Sequence, residues 1–223
     1  MRVRAIGSVV ATCVWLFGAS AIAAPAADAK DDAKRSEKAA ALKRDMRKLW
    51  TDHVVWTRDY IVAAVADQPD AQAAAARLMK NQEDIGQAVA AYYGAGAGQQ
   101  LTTLLKEHIS IAVDLIKAAK ASDKAAQQQA DTKWHQNATQ IAEFLSKANP
   151  NWPRATLVDM MNKHLSTTTD EVVARLTKNW DADVKAFDAV YDHILHMSDA
   201  LAEGIVKQYP DKFSGAVSTT GKK

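Results

Sequence analysis

The chain contains one cysteine, Cys13, and none beyond it. Because Cys13 falls in a segment read below as removed, the remaining protein can form neither a disulfide nor a thiolate metal site. Also lacking is any run of alternating β-branched residues bounded by turns, which is the pattern of a strand. Nor is there an excess of one charge. Without residues 1–23 the 28 basic residues lose Arg2 and Arg4 and stand level with the 26 acidic ones. Such a balance gives no electrostatic case for nucleic acid or an anionic membrane, both of which need concentrated positive charge. The common catalytic signatures are absent too: H-E-x-x-H, G-x-S-x-G and the P-loop. The stretch Gly94-Ala95-Gly96-Ala97-Gly98 is not G-x-G-x-x-G and follows a helical pattern, so it reads as a flexible turn. Acidic pairs such as Glu107 with Asp114 are what 26 acids on helices produce on solvated faces. The sequence leans away from an enzyme.

What is present begins with an export signal. MRVR carries two positive charges, AIGSVVATCVWLFGASAIA is apolar, and Ala21-Ile22-Ala23 has the small-x-small form of a cleavage site. Residues 1–23 are read as a signal peptide cut after Ala23, or alternatively after Ala26, with an uncleaved anchor as the competing reading. This places the protein in the periplasm or outside the cell, with no membrane attachment after cleavage. Residues 24–36 and 214–223 are small, polar and aperiodic and read as a disordered leader and tail. Between them, 37–213 reads as one all-α domain.

The helical periodicity breaks at Gln68-Pro69-Asp70, at the glycines of 94–98, at Ala121-Ser122-Asp123, at Asn149 to Pro153 and near Asn179-Trp180-Asp181. Proline and glycine stop helices there, and Asp or Ser can cap the next one. Six helices are predicted, over 37–67, 70–93, 99–121, 123–148, 154–178 and 181–209. Short connections make neighbours antiparallel, as in a bundle.

Three of the six histidines interrupt apolar stripes. His108 has Leu101, Leu104, Leu105, Ile111, Ala112 and Leu115 at helical spacing, so its imidazole is predicted to be inside. His53 and His164 occupy similar stripes, whereas His135 and His196 have acidic and polar neighbours and are predicted to face solvent. Superposing HVVWTRDYIVA (53–63), HISIAVDLIKA (108–118) and HLSTTTDEVVA (164–174) aligns the histidines, Asp59 with Asp114 and Asp170, and a final alanine. The even helices align likewise, bringing Asn81, Asn137 and His193 to one position. The expectation is a six-helix bundle made of three repeated antiparallel hairpins.

At about 1.5 Å per helical residue, each odd-helix histidine and its even-helix partner reach nearly the same height. His53, Asn81, His108, Asn137, His164 and His193 are therefore predicted to form one polar layer, with Glu171 able to join it. Either the layer is a closed hydrogen-bond network that sets helix register, or it holds a ligand. In the second case His53, His108, His164, His193 and Glu171 would bind a divalent transition metal or a small molecule, as facing helices do in bundle metalloproteins. Asn81, Asn137, Asp59, Asp114 and Asp170 would orient them, although the three aspartates stand about 120° round from their histidines.

The segments LWTDHVVWTRDYI, KNQEDIGQAVAAYYG, LLKEHI, WHQNATQIAEFLSKANPNW and HILHMSDAL, within about 49–213, resemble a family of secreted bacterial all-helical proteins of uncharacterised function. Some members carry glycosyltransferase-like names. A nucleotide-sugar enzyme normally alternates strands and helices around a parallel sheet, and these residues show no such alternation. The resemblance implies a compact secreted helical domain and carries over no catalytic residue. Metal or small-ligand binding in the polar layer is the leading expectation, with a structural or partner-binding bundle as the alternative.

Overall fold

Alanine, leucine, lysine and glutamine dominate the chain between its breaks, and these residues lose little freedom in a helix. The computed structural model describes the backbone of residues 26–214 and the side chains from residue 34 onward. The predicted signal peptide, residues 1–23, and residues 215–223 lie outside the described residues. All regular structure within them is helical. It comprises α1 (Ala26–Val65), α2 (Ala71–Tyr93), α3 (Ala95–Lys120), α4 (Lys124–Ala148), α5 (Arg154–Leu176), α6 (Trp180–Gln208) and a single turn, α7 (Pro210–Phe213). None of these helices is long and apolar enough to cross a membrane.

Consecutive long helices pack on one another, and α6 closes against α1 to complete a ring. Contacts of α1 with α3 and with α5 cross the middle of that ring, which puts the odd-numbered helices inward. Short connections at both ends fix the antiparallel run.

Three differences from the sequence expectations have physical causes. α1 begins at Ala26, so the predicted disordered leader is helical through most of 24–36. Alanine and lysine propagate a helix wherever nothing breaks it, and no proline or glycine stands between Ala26 and Val65. Secondly, the predicted turn over 94–98 is confined to Gly94, whose φ of 87° suits glycine, and α3 starts at Ala95. Gly98 lies inside α3 because α2 crosses there: a Cβ on Gly98 would run into the Gly86 carbonyl oxygen and Ala90. Thirdly, Pro210 starts α7, which no periodicity announced and which buries Phe213. Proline is pre-organised for a helix's first turn.

α1, α3 and α5 end in the same way. Asp67, Ser122 and Lys178 take positive φ of 54°, 58° and 56°, at matching distances beyond His53, His108 and His164. The next amide then bonds back five residues: Gln68 N–H to Ala63 O at 2.9 Å, Asp123 N–H to Ala118 O at 3.0 Å, and Asn179 N–H to Ala174 O at 3.0 Å. Asp123 and Asn179 go on to cap α4 and α6 through their side chains.

Candidate functional site

The buried stripe places His53, His108 and His164 at 3 %, 2 % and 5 % exposure, in the C-terminal half of α1 and midway along α3 and α5. Their rings gather around His164, whose centroid lies 5.7 Å from that of His53, 6.2 Å from His108 and 6.4 Å from His193. Trp50 packs edge-on against His53 and Trp134 lies over His108.

Polar groups from the even helices hold these rings from outside. Asn81 donates from Nδ2 to Leu49 O at 3.0 Å, Asn137 from Nδ2 to Leu104 O at 3.1 Å, and His193 from Nε2 to Met160 O at 2.8 Å. In each case the acceptor is the carbonyl one turn before the odd-helix histidine. Asn137 also turns Oδ1 to His108 Nδ1 at 2.8 Å, and an amide oxygen only accepts, so His108 carries its proton on Nδ1. In the first hairpin two residues divide this work, because Gln82 Nε2 donates to His53 Nδ1 at 3.3 Å. The two protons of Gln82 Nε2 are shared with Leu78 O at 2.8 Å and Asn81 Oδ1 at 3.2 Å, acceptors that fix the orientation of its amide and leave only N–H turned to the ring. His53 therefore accepts at Nδ1 and carries its proton on Nε2. His193 has spent its proton on Met160 and leaves His164 Nδ1 enclosed and without a partner.

These rings stay uncharged. Burial pushes the His53 imidazole down to about 3, assisted by His108, and pushes His108 down to about 4. The His164 value also falls well below the usual range, through burial first and then through His53, His108 and His193. His193, half-buried, is lowered by burial as well.

A cavity of about 380 Å³ opens directly on this layer. Its floor includes His53, His108, His164 and Trp134, its walls Ile109, Ala112, Ile116 and Val172, and its rim Lys124, Gln127 and Asp131. On the opposite side of the imidazoles lies an apolar void of only about 20 Å³.

Several sequence-predicted site residues take other roles. Glu171 does not join the imidazoles: its Oε1 accepts from Arg58 Nη1 at 2.8 Å. Arg58 also forks onto both oxygens of buried Asp183, which Arg175 reaches at 3.2 Å, so two cations and two carboxylates bind α1 to α5 and α6. Burial raises the Glu171 carboxyl against the pull of Arg58, while the Arg58 hydrogen bonds hold Asp183 below its ordinary value. Asp59, Asp114 and Asp170 are exposed and orient no imidazole, as their angular offset on the helix requires. His135 and His196 are exposed as expected.

Among the described residues no three His, Cys, Asp or Glu side chains are grouped so as to hold a metal ion. The divalent-metal expectation finds no such group, and Met160 O and Arg58 already engage His193 Nε2 and Glu171 Oε1. Sequence reasoning missed Gln82, although it stands 29 residues after His53, the separation that also links His108 to Asn137 and His164 to His193. Comparison with family models, curated proteins and solved structures finds no match for the chain.

Proposed function

We propose that the protein is an exported helical bundle that binds a small organic molecule in the cavity above its imidazole layer. The observation that carries this reading is the pairing of about 380 Å³ of space with buried imidazoles at its floor. Ligand pockets commonly run from about 300 to 1,000 Å³, apolar on the walls with a few placed polar groups. Buried polar groups with no protein partner need another reason to be there.

The same reading treats the bundle as three copies of one hairpin. Support comes from three side chain to carbonyl bonds whose acceptors stand at equivalent positions, and from the three matching helix ends. Asn81, Asn137 and His193 set register in that scheme, which leaves the odd-helix rings available to a ligand. The register role alone is the second reading, favoured by those bonds, and it leaves the cavity without a purpose.

The test is native mass spectrometry of the protein purified from the compartment to which its signal directs it. A bound organic compound should accompany the wild type and be lost from Ala112→Phe, which fills the cavity from its wall. A wild type free of bound compound, in a protein whose melting temperature no small-molecule panel shifts, would reject the reading.

A further inference from the structure

The cavity floor has a defined hydrogen-bonding character. His53 Nδ1 is engaged by Gln82, so the ring's only proton is on Nε2. His164 Nδ1 is sealed and unpartnered. An enclosed lone pair is tolerated more readily than an enclosed N–H, so this ring also carries its proton on Nε2. Among the described residues neither Nε2 has a partner, and neither is among the sealed polar atoms, so both border open space. The small void beneath the layer presents almost no polar surface, which leaves the large cavity as that space. Two N–H donors, on rings 5.7 Å apart, thus face one chamber with aliphatic walls.

We propose that the cavity takes a monocarboxylate with an apolar body, its carboxyl group seated on the Nε2 edges of His53 and His164. This rests on the cavity being a ligand site. Paired donors select an oxygen acceptor with two lone-pair directions, and a carboxylate offers both in one plane. Ile109, Ala112, Ile116 and Val172 accommodate a hydrocarbon body. An amine finds no carboxylate at the floor, because Glu171 is held by Arg58 and the one acidic lining residue, Asp131, is at the rim.

The seat has a consequence for protons. Among the described residues the charged groups that share the chamber, Lys124 and Asp131 of α4, stand at its rim. His108 approaches from α3 and His193 from α6, both neutral, while α2 presents Gln82 and α4 presents Trp134. An arriving carboxylate is then the only anion beside rings that burial keeps neutral, and it favours charging one of them. Binding takes up a proton, shared among the carboxyl group and the two rings.

The experiment is calorimetric titration of the wild type with hexanoate, hexan-1-ol and hexylamine, repeated in buffers of differing ionisation heat at pH 8, 7 and 6. Hexanoate should bind more tightly than either analogue, tighten as pH falls and take up close to one proton. His164→Phe should weaken hexanoate by about tenfold or more, the loss of one charge-assisted hydrogen bond, and leave hexan-1-ol little changed. Equal binding of hexanoate and hexan-1-ol without proton uptake overturns the carboxylate assignment and leaves the cavity as a ligand site. Absence of binding by all three, together with no co-purifying compound, overturns both. Proton uptake is read on the wild type, so the assignment stays testable even if His164→Phe does not fold.

Discussion

The bundle's two halves, on either side of the imidazole layer, are built from the same six long helices and packed to different ends. Below the layer, Trp50, Leu105, Ile141, Leu145, Leu157, Met161, Met197 and Leu201 belong to one continuous core that leaves about 20 Å³ unfilled. Above it, the apolar cluster shrinks to Tyr60, Ile61, Ala74, Ile116 and Val172 with their partly buried neighbours. There the ion network of Arg58, Glu171, Asp183 and Arg175 ties α1, α5 and α6 together beside the open chamber. The contrast follows from side-chain size. Ala112, Ala119, Thr168 and Thr169 line the upper space where leucines and methionines fill the lower. One half supplies stability, and the other gives up packing to keep a chamber.

The largest expected effect concerns the layer that divides the halves. His53 and His108 titrate near 3 and near 4 when folded, against about 6.5 unfolded. Between those values the unfolded chain binds the extra protons, so stability is complete above about pH 6.5 and falls as pH drops. These two rings alone should cost roughly 4 kcal/mol between pH 7 and pH 5. Urea titrations across that range test this, and a flat profile would show that the rings are not neutral in the fold.

Next in size is a pair that probes packing directly. Leu201→Ala opens a hole in the close-packed half and should cost about 4 kcal/mol, whereas Ile116→Ala only widens the chamber and should cost nearer 2 kcal/mol. Equal losses in chemical denaturation would break the comparison between the halves.

Asn137→Ala removes the bond to Leu104 O and strands His108 Nδ1–H, for an expected loss of about 1–3 kcal/mol. A loss within experimental error would mean that the layer does not set register. Smallest is Ala112→Leu, which fills space without displacing a polar group and should raise stability by about 0.5–1 kcal/mol. A clear drop in melting temperature would mean that the chamber is not open in solution.

How much of this was legible follows from which features are local. Helix placement was, because periodicity and breaks at Pro69, Ser122 and Pro153 are written along the chain. The inward histidines were too, since each interrupts an apolar stripe, and their repetition brought Asn137 and His193 to the same level. Repetition misled where the repeated residue is a surface one, as with Asp59, Asp114 and Asp170. Gln82 was hidden behind its neighbour Asn81, because matching asparagine with asparagine shifted the first hairpin by one residue. Glu171 shares the stripe of His164, but Arg58 on another helix decides its partner, and nothing local to α5 indicates that. The chamber is a set of missing side chains contributed by four helices, and no single stretch of sequence displays it.

The central claim is that neutral imidazoles with fixed tautomers form the floor of a ligand chamber. Nitrogen-15 NMR of the histidine side chains at pH 7 tests it most directly. The expected spectrum shows His53 protonated on Nε2 and His108 on Nδ1, both neutral, with the His53 and His164 resonances moving when hexanoate is added and those of exposed His135 and His196 unmoved. Imidazolium signals from His53 or His108 in the free protein, or the reverse tautomers, would contradict it.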